Sequence, residues 1–236
     1  MSNRSFLRIA GRVGFSVLGQ RGSKSLCSTL TQCAERGKKL YVDSQLGRNE
    51  LVNSWTIYTH MTRNELCCLY ELAFACAPGA TVLEIGSYRG ASTCYLGTAL
   101  KQIGGRLICV DTWKNETMPE GLQDTYDLFK KNTAPLNGVV SVRRKRSQDL
   151  TKTDIPSELQ LVFIDGNHSY QSVESDVKTV ASALVHDGIL AFHDAKYFQG
   201  VSRVVGELLS TGEWRFDGSI DNLLWLRKSR PNYSEI

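Results

Sequence analysis

The sequence predicts an α/β fold in which one mostly parallel sheet is wound with helical crossovers. Three observations predict it. Short β-rich runs alternate with segments of helical periodicity, a glycine-bearing loop from Gly86 to Gly90 joins the first such run to a helix, and each run ends on a residue able to bind something. Parallel neighbours need a long connection, so an alternating order favours crossover helices over hairpins.

Each element follows from its residues. From Asn64 to Cys76, Leu66, Leu69, Ala73 and Cys76 recur at three- and four-residue steps, the mark of one buried helical face. Ala77-Pro78-Gly79 ends that helix. TVLEI, Thr81 to Ile85, is the first strand, and a helix runs from Ala91 to Gln102. Gly104 and Gly105 precede the second strand, RLICVD, which stops at Asp111. A helix over Gly121 to Lys131 leads to VVSVR, Val139 to Arg143. LVFID, Leu161 to Asp165, is the next strand, and the helix after it places Val173, Val177, Val180, Ala181 and Leu184 on one face. His186, beside Asp187 and Gly188, reads as a turn residue before the strand GILAFHD, which ends at Asp194. A helix over Val201 to Leu209 and a pair of strands within WRFDGSIDNLLWLRK close the fold.

Composition narrows the function. The 236 residues, 42% of them hydrophobic, suffice for one substantial core. A formal charge of +4 is mildly basic, without the concentrated stripe that marks a nucleic-acid partner. Arg143, Arg144, Lys145 and Arg146 form a basic run, but no aromatic surface is interleaved with it, so a solvated strand end is expected there. Seven cysteines lack metal-ligand spacing and suit a reduced compartment, with Cys94 and Cys109 buried. No apolar run approaches the roughly 20 residues that span a bilayer. Residues 1–60 stand apart as an N-terminal extension. Arg4, Arg8, Arg12, Arg21 and Lys24 precede any acid and are interleaved with Phe6, Leu7, Ile9, Val13, Phe15 and Leu18. That pattern suits a helix packed on the domain or a frayed tail, and also an anionic membrane surface or a targeting leader. A cytoplasmic location is the default.

The strand ends carry Glu84, Gly86, Asp111, Ser147, Gln148, Asp165, His168, His193 and Asp194. In open α/β sheets, ligands bind outside the carboxyl ends of the strands, where such residues meet. A dinucleotide loop would read G-x-G-x-x-G, whereas Ser87 and Tyr88 stand where close approach to a pyrophosphate is needed. Glu84 would oppose a pyrophosphate and suits a ligand carrying an ammonium or sulfonium group. Asp111 can accept ribose hydroxyls, and Trp113 offers a flat face for adenine. The sum is S-adenosylmethionine. A nicotinamide-dependent oxidoreductase and a noncatalytic module on the same fold are the competing readings.

VLEIGSYRGAS resembles the first motif of class I S-adenosylmethionine-dependent methyltransferases, closely that of the catechol O-methyltransferase type. RSQDL, Arg146 to Leu150, is similar to their adenine-binding segment, and LVFIDGNHSY followed by GILAFHD resembles the bacterial branch that methylates hydroxyls on sugars and natural products. The resemblance covers residues 61–236. It implies a Rossmann-like three-layer sandwich with a mostly parallel seven-stranded sheet and a C-terminal antiparallel strand. By position it implies that Glu84, Gly86, Ser87, Tyr88, Gly90 and Ser92 surround the methionine part of the cofactor. Asp111, Thr112 and Trp113 would hold ribose and adenine, with Ser147 and Gln148 at the adenine edge and Asp165 beside the cofactor. It further implies Asp165 and Asp194 as ligands of Mg²⁺ or Mn²⁺, and His168 as the catalytic base, since imidazole exchanges protons near neutral pH. The third metal ligand stays open: His193 precedes the second acid and Ala195 follows it, and a metal-free enzyme is also compatible. Candidate partners are a small-molecule or saccharide hydroxyl acceptor, an anionic membrane surface and a second copy of the chain in a homo-oligomer. Nucleic acid is not expected.

Overall fold

A computed structural model describes residues 20–116 and 119–229, with side chains from residue 34 onward. The basic amphipathic stretch over residues 1–19 lies outside the described residues. The chain divides into two compact units, Met1–Ser44 and Gln45–Ile236. A long helix, α1 (Gln20–Arg48), is the described element of the N-terminal region. Among the described residues no helix is long and apolar enough to cross a membrane.

The second unit alternates as the sequence predicts: α2 (Arg63–Phe74), β1 (Thr81–Ile85), α3 (Ala91–Gln102), β2 (Arg106–Asp111), α4 (Tyr126–Thr133), β3 (Val140–Arg144), β4 (Leu159–Ile164), α5 (Tyr170–Val180), β5 (Leu184–Phe192), α6 (Gln199–Ser210), β6 (Trp214–Ile220) and β7 (Leu223–Lys228). The seven strands form one sheet in the order β3-β2-β1-β4-β5-β7-β6, with β7 antiparallel to both neighbours. The expected Rossmann-like architecture is therefore present. Two local readings change. Leu184 and His186 belong to β5, not to a helix and a turn, because α5 stops at Val180 and Leu184 is buried at the start of the strand beside Leu159. Asp187, at φ +60, supplies the local irregularity that His186 seemed to mark.

Burial explains the layers. Val173, Val177 and Val180 of α5 and Val201, Val204 and Val205 of α6 close over Leu83, Ile85, Val162, Ile164 and Leu190. Strand β1 is buried along its whole length, as a central strand covered on both faces requires. Helix α2 starts with a capping box: Thr62 accepts the Glu65 amide, and Glu65 accepts that of Thr62 at 2.6 Å.

The strand order reverses at β1, which lies parallel between β2 and β4. Ile85 is in register with Val110 on one side and Ile164 on the other, so three strand ends open at one level. Gly86 adopts φ +87 there, and a Cβ on it would overlap the carbonyl of Asp165. Only glycine permits this approach. Gly86→Ala should therefore lower the unfolding free energy by roughly 3 kcal/mol in urea titrations, from the backbone clash and the left-handed conformation together.

Candidate active site

A cavity of about 1400 Å³ opens at this switch point. Its walls include Gly86, Ser87, Tyr88, Ser92, Asp111 and Thr112 on one side and Ser147, Gln148, Asp165, His168, His193 and Asp194 on the other. Most residues singled out from the sequence are thus brought together. Gly90 lies next to it, at φ +87, as the N-cap of α3.

Glu84 and Trp113 do not line it. Glu84 is wholly buried beneath the loop. Ser92 Oγ donates to its Oε1 at 2.6 Å; Ser87 Oγ and Thr93 Oγ1 donate to Oε2 at 2.8 and 2.5 Å, and Cys109 Sγ lies 3.3 Å from Oε2. Burial raises its pKa, and these donors offset only part of that effect. The carboxylate expected to face a sulfonium instead ties strand, loop and helix together. Ser92 serves this carboxylate and makes no helix-capping hydrogen bond. Trp113, expected against adenine, is likewise buried, packed on Tyr126 and Phe129 with ring centroids 5.0 and 4.8 Å away. Positive φ at Trp113 turns the indole into the α4 layer.

Asp111 stands on the cavity wall. Its Oδ2 accepts the Ser87 and Tyr88 amides at 2.9 and 2.8 Å, and its Oδ1 accepts the Trp113 amide at 2.6 Å. Oδ1, with a single donor, retains acceptor capacity for a ligand hydroxyl. Ser147 is backed by Asp176 of α5, a buried acid whose Oδ1 has no partner.

Asp165 and Asp194 follow the ends of β4 and β5. His168 Nε2 lies 3.5 Å from Asp165 Oδ1 and 3.7 Å from Asp194 Oδ2, and Asn167 makes the turn by accepting the Ser169 amide at 2.8 Å. One ligand atom from each of Asp165, His168 and Asp194 lies within 4.8 Å of the others. His193, expected as third metal ligand, is not one of the three residues that meet this spacing. Its ring is 2% exposed, with Nδ1 3.2 Å from Asp165 Oδ1 and 3.6 Å from Asp194 Oδ1, and Nε2 3.4 Å from Glu65 Oε2. Burial alone would lower its pKa, but the surrounding carboxylates push it up to about 10. In turn, burial would raise the Asp165 and Glu65 carboxyls, and the neighbouring imidazoles and amides hold both below the usual range.

Several wall residues carried no signal in the sequence reading. Tyr58, His60, Arg89, Asn115, Tyr197 and Phe198 all line the cavity. Tyr58 Oη and His60 Nε2 meet Glu120 Oε1 at 2.7 and 3.0 Å, and the Phe198 ring lies 4.3 Å from that of His168. Glu65 was readable only as the fourth residue of a T-x-x-E cap. The basic run is paired: Arg144 with Asp124, Arg146 with Glu116, and Arg143 and Lys145 with Asp154.

This cavity at the switch point is floored by a glycine loop and edged by acids. Residues 83–195, just under half of the chain, match a family model described as a methyltransferase domain. Solved structures agree on the fold. An S-adenosylhomocysteine-bound methyltransferase from Podospora anserina is 15% identical over 84% of this chain and 96% of its own, with a TM-score of 0.59. An O-methyltransferase from Bacillus cereus, in complex with the same product, is 17% identical over 80% and 90%, at 0.56. An rRNA methylase from Streptococcus thermophilus is 12% identical over 72% and 99%, at 0.52.

Two outcomes follow from the buried acids. Glu84→Ala strands three hydroxyls and opens a cavity, and should cost roughly 3–5 kcal/mol in thermal or urea unfolding measured without ligand. A stability equal to wild type would return Glu84 to a ligand-contact role. For Asp176, burial pushes the carboxyl up to about 6 from 3.8. Its contribution is present below the unfolded value and is lost as pH rises through about 6. Relative to wild type, Asp176→Asn should therefore gain on the order of 2–3 kcal/mol between about pH 4 and pH 7, read from urea titrations at both.

Proposed function

We propose that the chain is an O-methyltransferase that moves a methyl group from S-adenosylmethionine to a hydroxyl of a small molecule or saccharide. The convergence of Asp165, His168 and Asp194 in the cavity that Gly86 and Asp111 also line carries this reading. The hydroxyl oxygen attacks the methyl carbon in line, the C–S bond breaks, and its electron pair stays on sulfur as a neutral thioether. What the protein must supply is alignment and an acceptor for the hydroxyl proton. Gly86 and Asp111 seat the nucleoside side. His168 Nε2, buried and without a hydrogen bond, is placed to take the proton beside the two carboxylates.

The same three residues fit a divalent cation. Two carboxylate oxygens and one imidazole nitrogen suit Mn²⁺ as well as a hydrated Mg²⁺. Glu65, Asp165 and Asp194 all stand within 3.6 Å of His193, and a divalent ion would offset the negative charge gathered there. Bound there, it would act as a Lewis acid on the acceptor oxygen, and Asp165, His168 and Asp194 would hold it. One Nε2 cannot both ligate and take a proton, so the metal-assisted and metal-free forms are separable.

The test is release of S-adenosylhomocysteine with a panel of hydroxylated acceptors, in chelator and in Mn²⁺, with the methylated atom located by NMR. Asp194→Asn should lower kcat by about a hundredfold or more while leaving S-adenosylhomocysteine affinity intact. In the metal-assisted form, calorimetry detects Mn²⁺ binding that His168→Ala and Asp194→Asn abolish. Full activity of His168→Ala from about pH 6 to 9 would remove His168 from both roles. Methylation at nitrogen or carbon would overturn the O-methyl assignment.

A further inference from the structure

We infer that Arg89 is a carboxylate-binding point in this cavity, an assignment that rests on reading the cavity as the methyl-transfer site. The side chain is clamped: its guanidinium carbon lies 5.1 Å from the Tyr58 ring centroid and 5.0 Å from that of Tyr88. Stacking of this kind holds a guanidinium in one plane without consuming its N–H donors. Among the described residues no carboxylate lies within ion-pair distance of it. Its one side-chain hydrogen bond is a long one, from Nη2 to Gln123 Oε1 at 3.4 Å. The contrast with Arg146, the other arginine lining the cavity among the described residues, is direct, since it is paired with Glu116.

A second observation points to a ligand. Arg89 Nε, Tyr88 Oη and Asn115 Nδ2 are shut off from solvent, and none has a hydrogen bond of ordinary geometry, although Tyr88 and Asn115 touch. Thr125 Oγ1 donates to Asn115 Oδ1 at 3.4 Å, so the amide oxygen is the partnered end of a residue that lines the cavity. Buried polar groups are expensive to leave unmade, and a cluster of donors around one cation matches an anion with several acceptor oxygens. Tyr88 and Asn115 are also held at positive φ, a backbone cost that concentrates at ligand sites. The carboxylate has two available sources: the amino-acid end of the cofactor, or an acidic group on the acceptor.

Calorimetry on the full chain separates them, using wild type, Arg89→Gln and Arg89→Lys. The probes are S-adenosylhomocysteine, methylthioadenosine, which lacks the amino-acid carboxylate, and glucuronate or benzoate added to protein saturated with S-adenosylhomocysteine. If the cofactor is the source, Arg89→Gln weakens S-adenosylhomocysteine by about ten- to a hundredfold, leaves methylthioadenosine unchanged, and Arg89→Lys recovers part of the loss. If the acceptor is the source, both nucleosides bind as before and an acid probe loses affinity by a similar factor. The assignment is overturned if Arg89→Gln alters neither class of probe, or weakens methylthioadenosine as much as S-adenosylhomocysteine, which marks a purely structural side chain. Wild-type protein that binds neither nucleoside would instead remove the methyltransferase reading, and the Arg89 assignment with it.

Discussion

The site depends on one buried carboxylate. Glu84 sits at the second-last position of β1, and its two oxygens gather hydroxyls from the loop and from the first turn of α3. A charge or a proton-bearing acid in the core is tolerable only when its hydrogen bonds are met, and here the partners come from the elements that must be held in place. The loop above is then fixed from the other side by Asp111, which accepts two of its amides. Pinned between two acids, Ser87 and Tyr88 keep the shape that leaves room at Gly86 for the end of β4. A polar core group thus sets cavity geometry without touching the cavity.

A second buried network orders the far wall. Glu65 caps α2, accepts the Asn222 amide at 2.6 Å and faces His193, which in turn faces Asp165 and Asp194. Buried ion pairs contribute little net stability, but removing one member leaves the others uncompensated. Such a network fixes where two acids stand. Helix α2, the β6–β7 turn and both site strands are coupled through it, which links the start of the domain to its last hairpin.

The alternation of strands and helices was legible because hydrophobic period and glycine punctuation are local properties. Boundaries slipped where a tertiary partner decided them: α5 could have run on through Leu184, but that residue is needed to pair with Leu159. Cys109 was rightly expected inside, although nothing local said that its thiol would lie against Glu84. Asp165, His168 and Asp194 were readable because they follow apolar runs in a spacing that parallel strands bring to one edge. Tyr58, Arg89 and Asn115 were not, because each acquires its meaning from residues distant in the chain. Trp113 misled for the same reason: an aromatic next to a binding acid looks like a stacking face until α4 is seen to cover it.

By itself, then, the sequence determined the fold class, the switch-point location of the site and the acids that edge it, since these follow from periodicity and from where strands stop. Tertiary structure alone decided which polar groups face the ligand and which support it. Glu84 was taken for a ligand-facing residue, yet it ties the loop from below, while His193 in the cavity wall stands among three carboxylates. Direction and desolvation are set by packing from every side, and no local pattern of residues encodes them.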